Sequence, residues 1–424
     1  MKKILLSACL VAITLFSNAQ IKGILDRAKQ KAEKKATERV DKTIDKTTEP
    51  TAGNEPGKRS GDDPASNPDM KPETGTAAEE HNAAANIKAY SKYDFVPGEK
   101  VMGFEDFSAA TIGDFPAGWN TTASGEVVTV DGKPGRWLWF TGRGEFVPDF
   151  PGPFPEDFTF EFDLLHGVPI NGAAFTICIA GLTDPALPHQ WAMAPDRFAI
   201  QLNNAPSGNQ TGGTTFNSRK NASIGVQNSA EAPLLNDKNN PVHVSIWRQK
   251  ERVRVYVNEQ KIWDVPKAVT KDAKFNSIIF SVIYAEEVVK HFISNLRFAV
   301  GAPDTRKKII EQNKWVTHGI LFDVNSAGIK PGSYGTLKEM ADVLKEYTDL
   351  KVKIIGHTDA DGKDADNLVL SKLRAASVKA ALSKEFGIDE TRMETGGKGE
   401  SEPIDKNDNP AGKANNRRVE FIKL

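Results

Sequence analysis

The sequence predicts a multidomain chain: an all-β sandwich over residues 91–302, followed by an α/β sandwich over 305–424 with the order β-α-β-α-β. Two textures carry this reading. Between 91 and 302, short apolar or alternating runs recur between Gly, Pro and Asn, the pattern of strands rather than helices. After Lys307, apolar residues at helical spacing interleave with strand runs, which argues for helices packed on one sheet. At 424 residues the chain is long enough for two cores of ordinary size.

The elements follow in order. Residues 1–19 read as a secretory signal: Lys2 and Lys3, the apolar run Ile4 to Phe16, then the small-residue site Ser17-Asn18-Ala19. The run is short of the roughly 20 apolar residues that a spanning helix needs. Leu6-Ser7-Ala8-Cys9 is a competing lipoprotein box with lipidation at Cys9, but it leaves only Ile4 to Ala8 as the apolar segment. Cleavage after Ala19 is therefore favoured, and it leaves Cys178 as the single cysteine, so no internal disulfide is expected. Residues 20–46 carry Ile21, Leu25, Ala28, Ala32, Ala36, Val40 and Ile44 at steps of three or four, a thin apolar stripe on a basic helix. Such a helix is either solvated or drawn to an anionic envelope surface. Residues 47–90 are Pro, Gly, Ser, Thr, Asn and Glu with almost no large apolar side chain, the composition of a flexible linker. The net charge of −1 points to no polyanionic partner and no nucleic acid.

Within 91–302, FTFEFDLL, RFAIQLN, HVSIWRQ, RVRVYVN, KIWDV, SIIFSVI and FISNLRFAV are the strand candidates. Lys250-Glu251 turns a hairpin between Val242–Gln249 and Arg252–Asn258, and a third strand returns through Asn258-Glu259-Gln260. AAFTICIAG is apolar on both faces, which suits a strand between two sheets better than a lipid-facing barrel strand. Its Cys178 is expected to be a packed thiol. The stretch from Asn203 to Asn221 is polar and reads as a long loop. The strand pattern, with VRVYVNEQKIWDV and FISNLRFAV, loosely resembles concanavalin-like jelly rolls of the laminin-G and glucanase type. In one such glucanase family the carboxylates lie on a strand as Glu-x-Asp-x-x-Glu. Here Glu161 and Asp163 begin that spacing but His166 stands third, so the second catalytic carboxyl group that glycoside hydrolysis needs is missing. The two carboxylates are expected on the wet face of a half-buried strand. Trp119, Trp137, Trp139 and Trp191 are candidate stacking platforms for a glycan. The seven histidines show no ligand spacing, and neither a metal nor a cofactor is expected.

In 305–424, Gly319 to Val324 is the first strand candidate. Ser333 is placed to cap a helix with Leu337, Met340, Ala341 and Leu344 on its apolar face. Leu350 to Ile355 forms a strand ending at Gly356. Asp364 or Asp366 caps a second helix that runs to Phe386 and stops at Gly387. Met393 and Val419 to Lys423 supply the remaining strands, with right-handed crossovers between parallel neighbours.

The informative stretch is GHTDADG. Asp359 lies just past the second strand, while Asn367, Leu370, Arg374 and Val378 share one helical face. A helix folding back beside its strand brings Arg374 towards Asp359. A fixed carboxylate and guanidinium complement a zwitterion, the carboxylate accepting from an ammonium and the arginine clasping a carboxylate in a two-pronged contact. The bland alternative is that the two pair with each other, or that Asp359 caps the turn. GHTDADG, N-L-x-L-S-x-x-R-A, GKGESEP and NNRRVEF together resemble the OmpA-like peptidoglycan-associated domain, from about Ile320 to Leu424. That resemblance implies non-covalent binding of the diaminopimelate end of the peptidoglycan stem peptide. It places the family's acidic residue on Asp359 and its arginine on Arg374, with supporting contacts on Asn325, Asn367 and Arg417. Asn409 and Lys413 depart from the residues many members carry, and His357 is read as a packing and hydrogen-bonding residue, not a base.

The expectation is a non-enzymatic protein exported to the periplasm of a diderm bacterium, associated with its outer membrane or cell wall. It would link peptidoglycan to an outer-membrane or periplasmic partner, with a glycan or an envelope protein at the central sandwich. The alternative is a wall-targeted protein that binds or hydrolyses glycan through the sandwich.

Overall fold

The computed structural model describes residues 93–167, 174–203, 211–283, 285, 289–301 and 304–424. The signal segment, the basic helix and the linker lie outside the described residues. Fifteen strands fill the first half: β1 (Lys100–Glu105), β2 (Trp119–Thr121), β3 (Gly125–Val130), β4 (Lys133–Phe140), β5 (Gly144–Pro148), β6 (Asp157–His166), β7 (Ala174–Ala180) and β8 (Arg197–Asn203). They continue as β9 (Gly212–Lys220), β10 (Ser223–Ala232), β11 (Val242–Gln249), β12 (Arg252–Val257), β13 (Gln260–Val265), β14 (Ser277–Val282) and β15 (His291–Val300). One sheet runs β13-β12-β11-β6-β15-β4-β3, with β1 also paired to β15; the other runs β10-β9-β8-β7-β14-β5-β2.

Alternation builds the sandwich. On β6, Phe158, Phe160, Phe162 and Leu164 point to one face and are fully buried. They meet Phe175, Ile177, Phe198 and Phe280 of the opposite sheet in a single core. The Phe162 and Phe280 rings cross edge to face at 5.3 Å. Each such side chain contributes roughly 1.5–3 kcal/mol on full burial. The seven strand candidates of this half all fall in strands, and the Lys250-Glu251 hairpin joins β11 to β12 as read.

Two readings need correction. The polar stretch from Asn203 is not all loop, because Gly212–Lys220 is β9, paired along its length with β8. Thr214, Phe216 and Ser218 turn inward in alternation, a signal masked by the surrounding Gly and Asn. AAFTICIAG is not enclosed by two sheets either. Phe175, Ile177 and Ile179 face the main core, whereas Cys178 and Ala180 pack under Leu182, Ala194 and half-buried Trp191 of the β7–β8 connection. Cys178 is a free, fully buried thiol, pushed up to about 12 by burial.

The second half is ordered α1 (Thr305–Glu311), β16 (Lys314–Thr317), α2 (Tyr334–Glu346), β17 (Val352–His357), α3 (Asp364–Phe386), β18 (Met393–Gly399), α4 (Pro410–Asn416) and β19 (Val419–Lys423). Its sheet runs β16-β19-β17-β18, and only β17 and β18 are parallel. The expected β-α-β-α-β order therefore gains an opening helix and a short helix before the last strand. The first strand is Lys314–Thr317, not Gly319–Val324. Trp315 is buried and stacks on Phe421 at 5.3 Å, which fixes the register, while Gly319 passes so close to Thr336 and Pro97 that a Cβ there would collide. Ser333 precedes α2 without capping it, since its hydroxyl is held by the Leu321 backbone. Lys363 occupies the cap position of α3, and Asp364 and Asp366 lie in its first turn, where they favour the positive end of the helix. Gly387 ends α3 in the left-handed conformation at φ 71°, as its position predicted.

Lys88–Leu424 forms one compact unit, and the two halves touch through named contacts. The Asn415 side chain donates to Val101 O and accepts from Val101 N, both at 2.9 Å, like a neighbouring strand. Lys308 pairs with Glu99. A Cβ on Gly335 would run into the Phe95 backbone. Nearby, burial pushes Glu339 up to about 7, with Asp304, Glu99 and Asp342 adding to the shift and the Thr305 hydroxyl opposing it. The fold therefore favours its protonated form. That contribution is complete below the unfolded value near 4.5 and is lost as pH rises through 7. Glu339→Gln is expected to match wild type at pH 4 and to exceed it by roughly 2 kcal/mol at pH 8 in urea unfolding.

Candidate functional site

Asp359 follows β17 directly, at the end of the parallel pair. Gly356 makes this placement possible: α3 crosses β17 so closely that a Cβ would strike the Ser371 carbonyl. Thr358 N donates to Gly399 O at 2.9 Å and Ser371 Oγ accepts from Gly399 N at 2.9 Å, pinning β17, β18 and α3 together. On this frame Asp359 is 8% exposed. Its Oδ1 accepts from Asp361 N at 3.2 Å, and its Oδ2 accepts from Arg417 Nη1 at 2.5 Å.

Arg374 is not the partner of Asp359. Its Nε donates to Ser326 O at 3.0 Å and its guanidinium lies 4.9 Å over the Phe322 ring. No other hydrogen bond from Arg374 is made among the described residues, which leaves its terminal nitrogens available. Burial lowers its pKa; the Asp359 charge works against this and Arg417 adds to it, so all three groups share one field. The alternative in which Asp359 and Arg374 bridge each other is not what forms, although Asp359 does hold its turn. Asn367 is buried, and its Nδ2 lies within hydrogen-bonding distance of Asp359 O, Asp361 O and Glu400 Oε2, which share its two protons. Through these bonds it shapes the 359–361 loop. Asn325 is exposed with φ 53°, at the apex of the turn whose next residue receives Arg374. His357 is fully buried beside Glu420 at 3.6 Å, beyond hydrogen-bonding distance.

Sequence reasoning noted Lys413 and Asn409 only as departures and gave neither a role; Lys413 Nζ bridges Asp361 at 2.7 Å. Asn409 caps α4 through Gly412 N. The Asn-Pro pair opening that helix was a legible signal. Glu400 was also missed, and nothing local to GKGESEP marks it as a partner of Asn367.

The β6 carboxylates are not on a wet face. Glu161 is 3% exposed, held by Arg297 at 2.7 Å and approached by His243 at 3.4 Å. Asp163 accepts from His243 Nδ1 at 2.6 Å and from Asn295 at 2.7 Å. Burial alone would raise Glu161, but Arg297 and His243 hold it below the usual carboxylate range. Burial opposes protonation of His243, yet the two carboxylates push it up to about 10. His166 packs instead against His291, Nδ1 to Nδ1 at 3.0 Å. This is a charge network with a buried Glu161–Arg297 pair and half-buried His243 and Asp163, and both carboxylates are committed to it. The tryptophans are likewise engaged. Trp137 is buried, Trp119 stacks on Phe280, Trp139 on Phe292, and Arg197 lies over Trp191.

A mixed sheet backed by helices, with one carboxylate and two guanidinium groups gathered beyond its parallel strands, defines an α/β domain with a charged polar site at one end of its sheet. Residues 321–417 are an OmpA family domain. The chain is similar to outer membrane porin F of Pseudomonas fluorescens, 44% identical over 101 residues that make up 24% of this chain and 31% of the porin. It is 45% identical over 104 residues to the probable lipoprotein YiaD of Escherichia coli, covering 24% of this chain and 47% of YiaD. The chain thus spans less than half the length of these relatives. Among solved structures, the peptidoglycan-associated lipoprotein from Burkholderia pseudomallei is 26% identical over 28% of this chain and 98% of its own, with a TM-score of 0.25.

Proposed function

We propose that this is a non-enzymatic cell-envelope protein whose C-terminal domain binds peptidoglycan through the diaminopimelate end of the stem peptide, linking the wall to an outer-membrane or periplasmic partner. The observation that carries the reading is the Asp359–Arg417–Arg374 cluster. The Asp359 carboxylate, already held by Arg417, accepts the ligand ammonium at its remaining lone pairs, and the unspent nitrogens of Arg374 take the ligand carboxylate. Charge-assisted bonds contribute about 1.5–3 kcal/mol each, so two or three give roughly millimolar to micromolar affinity. A wall that presents the ligand as a dense array raises the effective concentration at each site. Export to the periplasm, by way of the segment 1–19, and residence at the outer membrane or wall follow from this reading and from the relatives named above. The hydrolase alternative finds no support, since Glu161 and Asp163 are consumed by Arg297, His243 and Asn295.

Wall sacculi of two chemistries test the proposal. Where lysine replaces diaminopimelate, the side chain ends in an ammonium without its neighbouring carboxylate. Capture by diaminopimelate sacculi, with little or none by lysine sacculi, is the expected outcome; equal capture by both overturns the reading.

A further inference from the structure

We infer that the β-sandwich completes the ligand notch of the C-terminal domain, with Phe104 as a positioning residue for Arg417. This rests on the reading above and extends it to the other half of the chain. The Arg417 guanidinium that holds Asp359 lies 5.1 Å over the Phe104 ring, and Phe104 belongs to β1 of the sandwich. It is thus gripped by a carboxylate from one half and an aromatic face from the other.

The strand is shaped for this contact. Val101 and Phe104 are three residues apart, so a regular strand would send them to opposite faces. The β1–β15 register slips between Val101 and Gly103, a bulge with Met102 as the extra residue. The slip turns both side chains to one side, where they pack with Ala299, Ala411 and Ala414. Met102 turns instead towards the sandwich core. A bulge that re-aims a side chain at a site is a common use of this irregularity. Gly103 is required beside it, because a Cβ would overlap the Phe150 ring. The Asn415 clamp on the Val101 backbone, two residues before Arg417, then locks the strand to α4. Arg417 therefore has its position set from three sides: by β1, by α4 and by Asp359. An arginine stacked on an aromatic ring keeps its planar fork oriented, which an aliphatic neighbour cannot enforce.

The test uses the full chain and measures binding of meso-diaminopimelate by calorimetry, with thermal stability recorded for each variant. Phe104→Leu keeps an apolar packing side chain but removes the ring, and binding is expected to weaken roughly three- to tenfold. Phe104→Tyr restores the ring and is expected to return affinity to within about twofold of wild type. Asp359→Ala serves as the control for the notch itself. If wild type binds, Asp359→Ala does not, and Phe104→Leu binds like wild type, the role of the sandwich is overturned while the notch stands. If Phe104→Tyr is as weak as Phe104→Leu, packing rather than the aromatic face is responsible and the inference fails. If Asp359→Ala binds as well as wild type, the notch reading itself falls, and this inference with it.

Discussion

Arg297→Met is expected to lower the stability of the sandwich by about 3–5 kcal/mol, the cost of leaving a buried carboxylate without its counter-charge. Arg297 is 7% exposed and its Nη1 lies 2.7 Å from Glu161 Oε1, itself 3% exposed. Removing the guanidinium leaves Glu161 with His243 alone, at 3.4 Å. The double variant Arg297→Met with Glu161→Gln is expected to recover part of the loss, because the stranded charge is gone. Urea unfolding of both variants and wild type checks this, and a loss below about 1 kcal/mol would place the pair among solvent-screened bridges. The pH dependence follows from the same groups. Glu161 is held below 4.5, so its contribution is present above that value and is lost as pH falls. His243 is raised to about 10, so its contribution is complete below 6.5 and is lost as pH rises through 10. The network is thus whole between about 4.5 and 6.5 and weakens on either side.

Arg374→Lys is expected to weaken diaminopimelate binding at least tenfold while leaving the fold intact. Lysine keeps the charge but loses three things: the Nε bond to Ser326 O, the stack over Phe322 and the second prong towards a carboxylate. One charge-assisted bond contributes about 1.5–3 kcal/mol, which corresponds to roughly ten- to a hundredfold in affinity. Asp359→Asn is expected to lose at least as much. It removes the negative charge that faces the ligand ammonium and balances Arg417, and turns one acceptor oxygen into a donor. Calorimetric titration of both variants decides the matter; affinities unchanged from wild type would remove the notch from consideration. The fold should survive Arg374→Lys, since Arg374 is only partly buried.

The site was legible to different depths. Asp359 and Arg374 could be placed near one another from two local facts, the end of an apolar strand and a helical step of three or four. Asn325, Asn367 and Arg417 came only through resemblance, and for Asn367 the structure changes the meaning. Its amide nitrogen also braces the 359–361 turn and Glu400, a structural role the resemblance did not carry. The choice of Arg417 over Arg374 as the partner of Asp359 had no local signature, since it depends on where the chain returns 58 residues later.

By itself the sequence determined the strand candidates of the sandwich, the hairpin at Lys250-Glu251, the stop at Gly387, and the positions of Asp359 past a strand and Arg374 on the helix that follows. Each is written in a period of two, a period of 3.6 or a backbone preference, all read within a few residues. Only the tertiary structure decided that Glu161 is buried with Asp163 half-buried beside it, that β9 is a strand, that β16 begins at Lys314, and that Phe104 reaches Arg417. Those outcomes depend on which surface lies opposite, and a residue carries no local mark of a neighbour that folding brings from three hundred positions away.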